Sequence, residues 1–204
     1  MRTFPLAGLL IGVVGGLGVL TWNQVRIWRD SETLWAHAVA VDPDSAAAQF
    51  NLGMALGERG KHTEAIERFR QTLQLEPDYP NAQSNWATEL AQQGKLAEAI
   101  EHFRHALRTN PQDALGHINW GSALIDAGKP TEAIAHFREA LSIEVDNPTI
   151  YAIAHTNWGA ALIAQSRAAE AIQHYREALR IDPGLAAAYN GLLQALELPR
   201  VGGQ

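Results

Sequence analysis

The chain has 204 residues, 47 % of them hydrophobic, with no cysteine and a formal net charge of −6. That length holds one ordinary domain, or a modest repeat array with an appendage. The lack of cysteine excludes disulfides, thiolate catalysis and the usual zinc sites together, and mixed, mildly acidic charge offers no stripe for a phosphate backbone, so no nucleic acid is expected as a partner.

The first stretch differs from all that follows. Residues 3–25 carry no charge, and their centre reads AGLLIGVVGGLGVLTW (7–22). As a helix, Pro5 to Trp22 would span roughly 27 Å at ~1.5 Å per residue, near the ~30 Å of bilayer hydrocarbon. Trp22 and Trp28 suit one interface, with Arg26 and Arg29 just beyond it. A transmembrane anchor over residues 4–22 is therefore expected. It is expected to be retained, because the apolar run exceeds a signal core of ~7–15 residues and no A-x-A site precedes Asn23. Gly8, Gly12 and Gly16 fall four apart, on one helix face. Such a face admits another backbone closely in lipid, although glycine is also simply frequent in membrane helices. Membrane lipid and a second transmembrane helix are the expected partners of this segment. GVVGGLG lacks the GxGxxG spacing and a preceding strand, so it is no nucleotide loop.

Residues 23–45 follow as a juxtamembrane segment and partial unit. RDSETLWAHAVAVDP (29–43) reads as one helix, with Asp30 or Ser31 as N-cap and Pro43 after its end. The body then repeats, in units 46–79, 80–113, 114–151 and 152–185. Pro43, Pro77 and Pro111 lie 34 residues apart, while Pro111 and Pro183 lie 72 apart, two periods plus a four-residue insertion within IEVDNPTIYAI. Each unit divides into two helices. Trp120, Leu124 and Ile125 mark the first at helical spacing; Ala99, Ile100, Phe103 and Ala106 mark the second. Gly60, Gly94 and Gly128 mark the turns, with Ser166 in the fourth. Ala65, Ala99, Ala133 and Ala171 recur where helices must approach closely, and Phe69, Phe103, Phe137 and Tyr175 recur four residues later. No pair can bury its apolar face alone, so the units must stack. LAAAYNGLLQALEL (185–198) reads as a closing helix within a capping segment, 186–204, in which Leu192, Leu193 and Leu196 are expected to seal the last unit.

Leu52-Gly53, Ala65, Phe69 and Pro77 resemble the signature positions of the tetratricopeptide repeat (TPR) family, and the resemblance covers residues 46–185. Thr72, Ala87, Ser166 and Val145 depart from the family pattern. The fold the resemblance implies is all-α: a right-handed superhelical solenoid of four repeats, with a partial N-terminal unit, a C-terminal capping helix and the N-terminal transmembrane helix.

Asn51, Asn85, Asn119 and Asn157 recur once per repeat although asparagine is a mediocre helix former. One reading is a bond to a neighbouring helix. The other comes from the resemblance, which puts this position on the concave surface. In O-linked N-acetylglucosamine transferases such asparagines hold an extended peptide, whose alternating C=O and N–H groups suit an amide. Family position also implies Phe50, Ile118, Ile125 and Thr156 in the groove, with Met54, Ser84, Thr88, Ser122 and Ile163. This set is neutral and partly apolar, lacking the lysines and arginines that grip acidic C-termini, so a protein or peptide segment with apolar side chains is the expected partner.

No GxSxG, HExxH or phosphate-loop motif occurs, so no catalytic residue, cofactor or metal is expected and the chain reads as non-enzymatic. His102, His136 and His174 occupy equivalent positions without a carboxylate or cysteine cluster, and are read as solvated or groove-edge side chains. WRDSETLWAHAVAVDP (28–43) resembles the junction between the last membrane helix and the TPR units of mannosyltransferase-like multi-spanning proteins. That resemblance implies an extracytoplasmic, periplasmic body, whereas counting basic residues favours a cytoplasmic one. The function implied is a membrane-anchored scaffold or adaptor, an accessory subunit of a membrane complex. The alternative is an accessory or remnant module of a membrane glycosyltransferase system.

Overall fold

A computed structural model describes residues 30–198. The anchor expected over 4–22, with Gly8, Gly12 and Gly16, lies outside the described residues. Among those described, no helix is long and apolar enough to cross a membrane. They form ten α-helices and no strand: α1 Ser31–Val41, α2 Ala46–Glu58, α3 His62–Leu75, α4 Ala82–Gln92, α5 Leu96–Thr109, α6 Ala114–Asp126, α7 Pro130–Ser142, α8 Thr149–Ala164, α9 Ala168–Ile181 and α10 Ala186–Glu197. The chain divides into two compact bodies, one ending at Tyr79 and one beginning at Pro80.

In the first body α1 packs on α2, and α2 pairs with α3. Asp30 caps α1 by accepting the Thr33 N–H at 2.9 Å, satisfying one orphan donor of the first turn. Glu32 of α1 pairs with Lys61 at 2.5 Å and Arg59 at 3.3 Å, tying this lone helix to the α2–α3 turn.

In the second body α4/α5, α6/α7 and α8/α9 form antiparallel pairs and α10 closes the row. Ala65, Ala99, Ala133 and Ala171 are fully buried in their respective helices, as are the rings of Phe69, Phe103 and Phe137. Asp113 caps α6 by accepting the Gly116 N–H at 2.9 Å. Its other carboxylate oxygen accepts the Ser84 hydroxyl at 2.9 Å, so one side chain starts a helix and fastens it to α4. The four-residue insertion is held by Tyr151, whose hydroxyl donates to Ile143 O and accepts from Val145 N–H, both at 3.0 Å.

The C-terminal seal differs from expectation. Ala188 and Ala195 are buried and Leu192 packs against the last cluster, but Leu193 and Leu196 are 44 % and 49 % exposed. Residues 188, 192 and 195 share one face at helical spacing, which turns 189, 193 and 196 to the next face.

The turns carry one strained substitution. Gly60, Gly94 and Gly128 sit at φ 73°, 74° and 73°, and Ser166 takes the same left-handed conformation at φ 60°. There the Arg167 N–H reaches back to Leu162 O at 2.9 Å, as Lys95 N–H does to Leu90 O at 2.9 Å. A Cβ in that conformation costs about 1–2 kcal/mol. Ser166→Gly should therefore stabilise the fold by about 1 kcal/mol, and Gly128→Ser should cost a comparable amount, both read from the urea midpoint; an unchanged midpoint in both would remove the strain argument.

Candidate functional site

The repeated asparagines divide into two groups. Asn51 donates from its side-chain amide to Ala47 O at 2.7 Å, and Asn85 to Asn81 O at 2.9 Å, each within its own helix or its cap. In the second body the bonds of the later two cross between helix pairs: Asn119 donates to Thr88 Oγ1 at 3.3 Å and Asn157 to Ser122 Oγ at 3.0 Å. These lash α6 to α4 and α8 to α6. Thr88 and Ser122 can accept because their own protons go to the Ser84 and Ile118 carbonyls, each at 3.0 Å. In α6 and α8, then, the asparagine does bond to a neighbouring helix, while its side-chain carbonyl has no hydrogen-bond partner among the described residues.

Thr88, Ala91 and Gln92 of α4, Gly94 of the turn, Leu96 and Phe103 of α5, and Asn119, Ser122, Ala123 and Asp126 of α6 line a cavity of about 370 Å³ that is open to solvent on one side. Three expected groove residues are buried instead. Ile118 is 2 % exposed and packs with Ala140 and Ala154; Thr156 is 7 % exposed and donates to Ala152 O at 2.8 Å. Each directly precedes the groove asparagine and is turned about 100° from it, into the seam between pairs. Ser84 is buried in the same way. Ile125 is half-buried against the Phe137 cluster. Phe50 is half-buried, its ring 5.0 Å from Tyr79 and 5.7 Å from Phe69.

The histidines are not the solvated side chains that the repeat pattern suggests. His102, His136 and His174 are half-buried and stack on Trp86, Trp120 and Trp158 at 4.4, 4.0 and 4.2 Å. Two of them meet partners on the first helix: His117 Nδ1 lies 3.1 Å from His136 Nδ1, and His155 Nδ1 lies 3.0 Å from His174 Nδ1. His117 Nε2 faces Pro111 O at 3.3 Å. A carbonyl only accepts, so Nε2 carries the proton of a neutral ring, and Nδ1 accepts from His136 Nδ1–H. In the first body Gln49 and Arg68 occupy the same two places. Gln49 donates to Pro43 O at 2.9 Å and accepts from Arg68 at 3.3 Å. The signal was present in sequence, since 49/68, 117/136 and 155/174 are all 19 residues apart. Among the described residues no three His, Cys, Asp or Glu side chains gather as a metal site would require.

Burial, then the facing histidine, lowers His136 and His174 to about 4 from the ordinary 6.5. Burial also lowers His117 and His155, against the raising fields of Glu139 and Asp113 on the first and Glu177 on the second. The folded state thus binds fewer protons than the unfolded chain below pH 6.5. The stability these pairs contribute is complete above pH 6.5 and is lost as pH falls toward 4. The melting temperature should drop across that window, and the double change His117→Gln with His136→Arg, which copies the first body's couple, should flatten the drop. A profile unaltered by the exchange would show that the pair does not control it.

Antiparallel helix pairs joined by left-handed turns and stacked through small residues against aromatic rings define a helix-pair repeat protein, a class whose function lies in its exposed helix faces. Models of the tetratricopeptide repeat match residues 24–80, 56–117 and 112–184. The chain belongs to the tetratricopeptide repeat family. No curated protein matches it. Among solved structures it is similar to TTC0263, a thermophilic TPR protein of Thermus thermophilus, at 24 % identity over 89 % of this chain and 96 % of that one, with a TM-score of 0.70. It is similar to pilF of Pseudomonas aeruginosa at 22 % identity over 74 % of this chain and 67 % of that one, TM-score 0.68. It is also similar to YrrB, described as a TPR protein with an unusual peptide-binding site, at 20 % identity over 88 % of each chain, TM-score 0.63. These likenesses carry the fold.

Proposed function

We propose that this protein is a non-enzymatic scaffold that holds an extended segment of a partner protein along its first-helix face. The supporting observation is the cavity between α4 and α6, walled by Thr88, Asn119 and Ser122, where the amide of Asn119 is fixed by the protein and its carbonyl is left over. An extended peptide supplies backbone N–H groups at regular intervals, and a fixed amide oxygen accepts one without first losing rotamer freedom. Asn51, Asn85 and Asn157 are read in the same role. The charge-free segment over 4–22 is read as a membrane anchor, with Gly8, Gly12 and Gly16 as its contact to another transmembrane helix, which would make the protein an accessory subunit of a membrane complex.

In the full chain, Asn85→Ala with Asn119→Ala should weaken peptide capture at least about tenfold, the equivalent of about 1.4 kcal/mol, while helicity is retained. Losing the Asn119–Thr88 bond costs stability on its own, about 1 kcal/mol. Thr88→Ala is therefore the control: it breaks the same lash but keeps Asn119, so it should bind more weakly than the parent, for want of the fixed carbonyl, and clearly better than the double variant. Equal capture by the double variant and the parent would refute an asparagine-based groove. Removing residues 1–29 should move the protein from the membrane fraction to the supernatant; continued sedimentation with membranes would count against the anchor.

A further inference from the structure

The cavity wall is unevenly supplied with protons. Thr88 and Ser122 commit their hydroxyl protons to Ser84 O and Ile118 O, and their lone pairs receive Asn119 and Asn157. What remains for a ligand is the Asn119 and Gln92 amides, each able to donate and accept, and the Asp126 carboxylate, which only accepts. No lysine, arginine or histidine lines the cavity among the described residues. Asp126 is exposed, and among the described residues it has no ion-pair partner. It is also the last residue of α6, where the helix dipole already places negative charge and an acidic side chain is unfavourable. Nothing in the helix itself offsets that placement; a cation in the cavity would. Leu96 and Phe103 supply an apolar wall against which a methylene stem can lie. At about 370 Å³ the space sits at the small end of ligand pockets, suited to one side chain and the backbone that carries it.

We propose that this cavity binds a lysine or arginine side chain of an extended peptide, with Asp126 taking the charge and Asn119 and Gln92 accepting the remaining N–H groups. The proposal rests on the peptide-groove reading above and adds a charge preference to it. The neutral floor and single acidic rim make it a site for basic segments and a poor one for acidic tails.

The test uses the full chain and four immobilised pools of end-blocked nonapeptides, random except for a central Lys, Arg, Gln or Glu. The Lys and Arg pools should retain the protein best and the Glu pool least, with retention falling as salt is raised. Asp126→Asn should reduce capture on the basic pools about threefold to fivefold, as expected for a solvent-accessible charge pair. Asp126→Lys should move the preference to the Glu pool; this position is exposed, and circular dichroism is the check that both variants keep the parent's helicity. Equal capture by all four pools, lost in the Asn85→Ala, Asn119→Ala variant, would overturn the charge preference and leave the groove standing. A basic preference untouched by Asp126→Lys would overturn the assignment of Asp126. Capture by none of the pools would overturn the groove reading and this one together.

Discussion

The structure depends on a flat ring lying directly against a residue with little or no side chain. A Cβ at Gly53 would come within 2.7 Å of Phe69, and one at Gly159 within 2.7 Å of Tyr175. Tyr175 is held from two sides, since a Cβ on Gly191 of α10 would fall 2.5 Å from the same ring. Those distances are closer than real carbon contacts, so the helices of a pair can approach this closely only where the first helix is nearly bare. The second helix meets the requirement with Ala65, Ala99, Ala133 and Ala171, all fully buried. The same contact orients the groove. Asn51, Asn119 and Asn157 each sit two residues before the bare position, about 200° around the helix, so packing the glycine on the ring turns the asparagine to the far side. The residue just before the asparagine, Ile118 or Thr156, is left facing the seam.

That relation explains what sequence could and could not show. The 34-residue proline spacing, the recurrent alanines and the aromatic four residues later each encode a packing requirement, and each is visible as a residue type at a fixed interval. The inward position of Ile118 and Thr156 is not visible in that way. TIYAIAHTNWGAALIA of α8 is apolar nearly all round, because it packs on both its own pair and the next. A helix with no clear polar face gives no sequence clue to which side is open. In α10 the opposite holds: Tyr189, Leu193 and Leu196 look like core residues and are 56 %, 44 % and 49 % exposed, because no second helix among the described residues follows to cover them.

The histidines show how one structural task accepts different chemistries. The place between the helices needs a side chain that donates to the preceding proline carbonyl and accepts from its partner. Gln49 does this with an amide and Arg68 opposite; His117 does it with two ring nitrogens and His136 opposite. In α4/α5 the corresponding Gln83 Oε1 and His102 Nδ1 are buried without a partner among the described residues. Repetition of histidine alone therefore misleads, because what repeats is the hydrogen-bonding task. The choice still has a physical consequence, since an arginine–glutamine couple does not titrate as pH falls from 6.5 toward 4, whereas a histidine couple with His136 lowered to about 4 does.

On the groove reading proposed above, the asparagines would join stability to recognition through a single group. An amide offers one end to the protein and the other to a ligand, so Asn119 and Asn157 can fasten successive helix pairs through their N–H groups without giving up their carbonyls. The bond to the fold also fixes the direction of the carbonyl before any ligand arrives, and an immobilised acceptor avoids much of the ordering cost that a free side chain would incur on binding. The hydroxyls of Thr88 and Ser122 are what make this arrangement consistent. By donating to their own helix they can only accept from the asparagine, and the polarity of each lash is set by residues that need not touch the ligand. The residues that line this cavity are uncharged except for a single carboxylate at its edge, Asp126, and the proposed preference for basic side chains rests on that one charge.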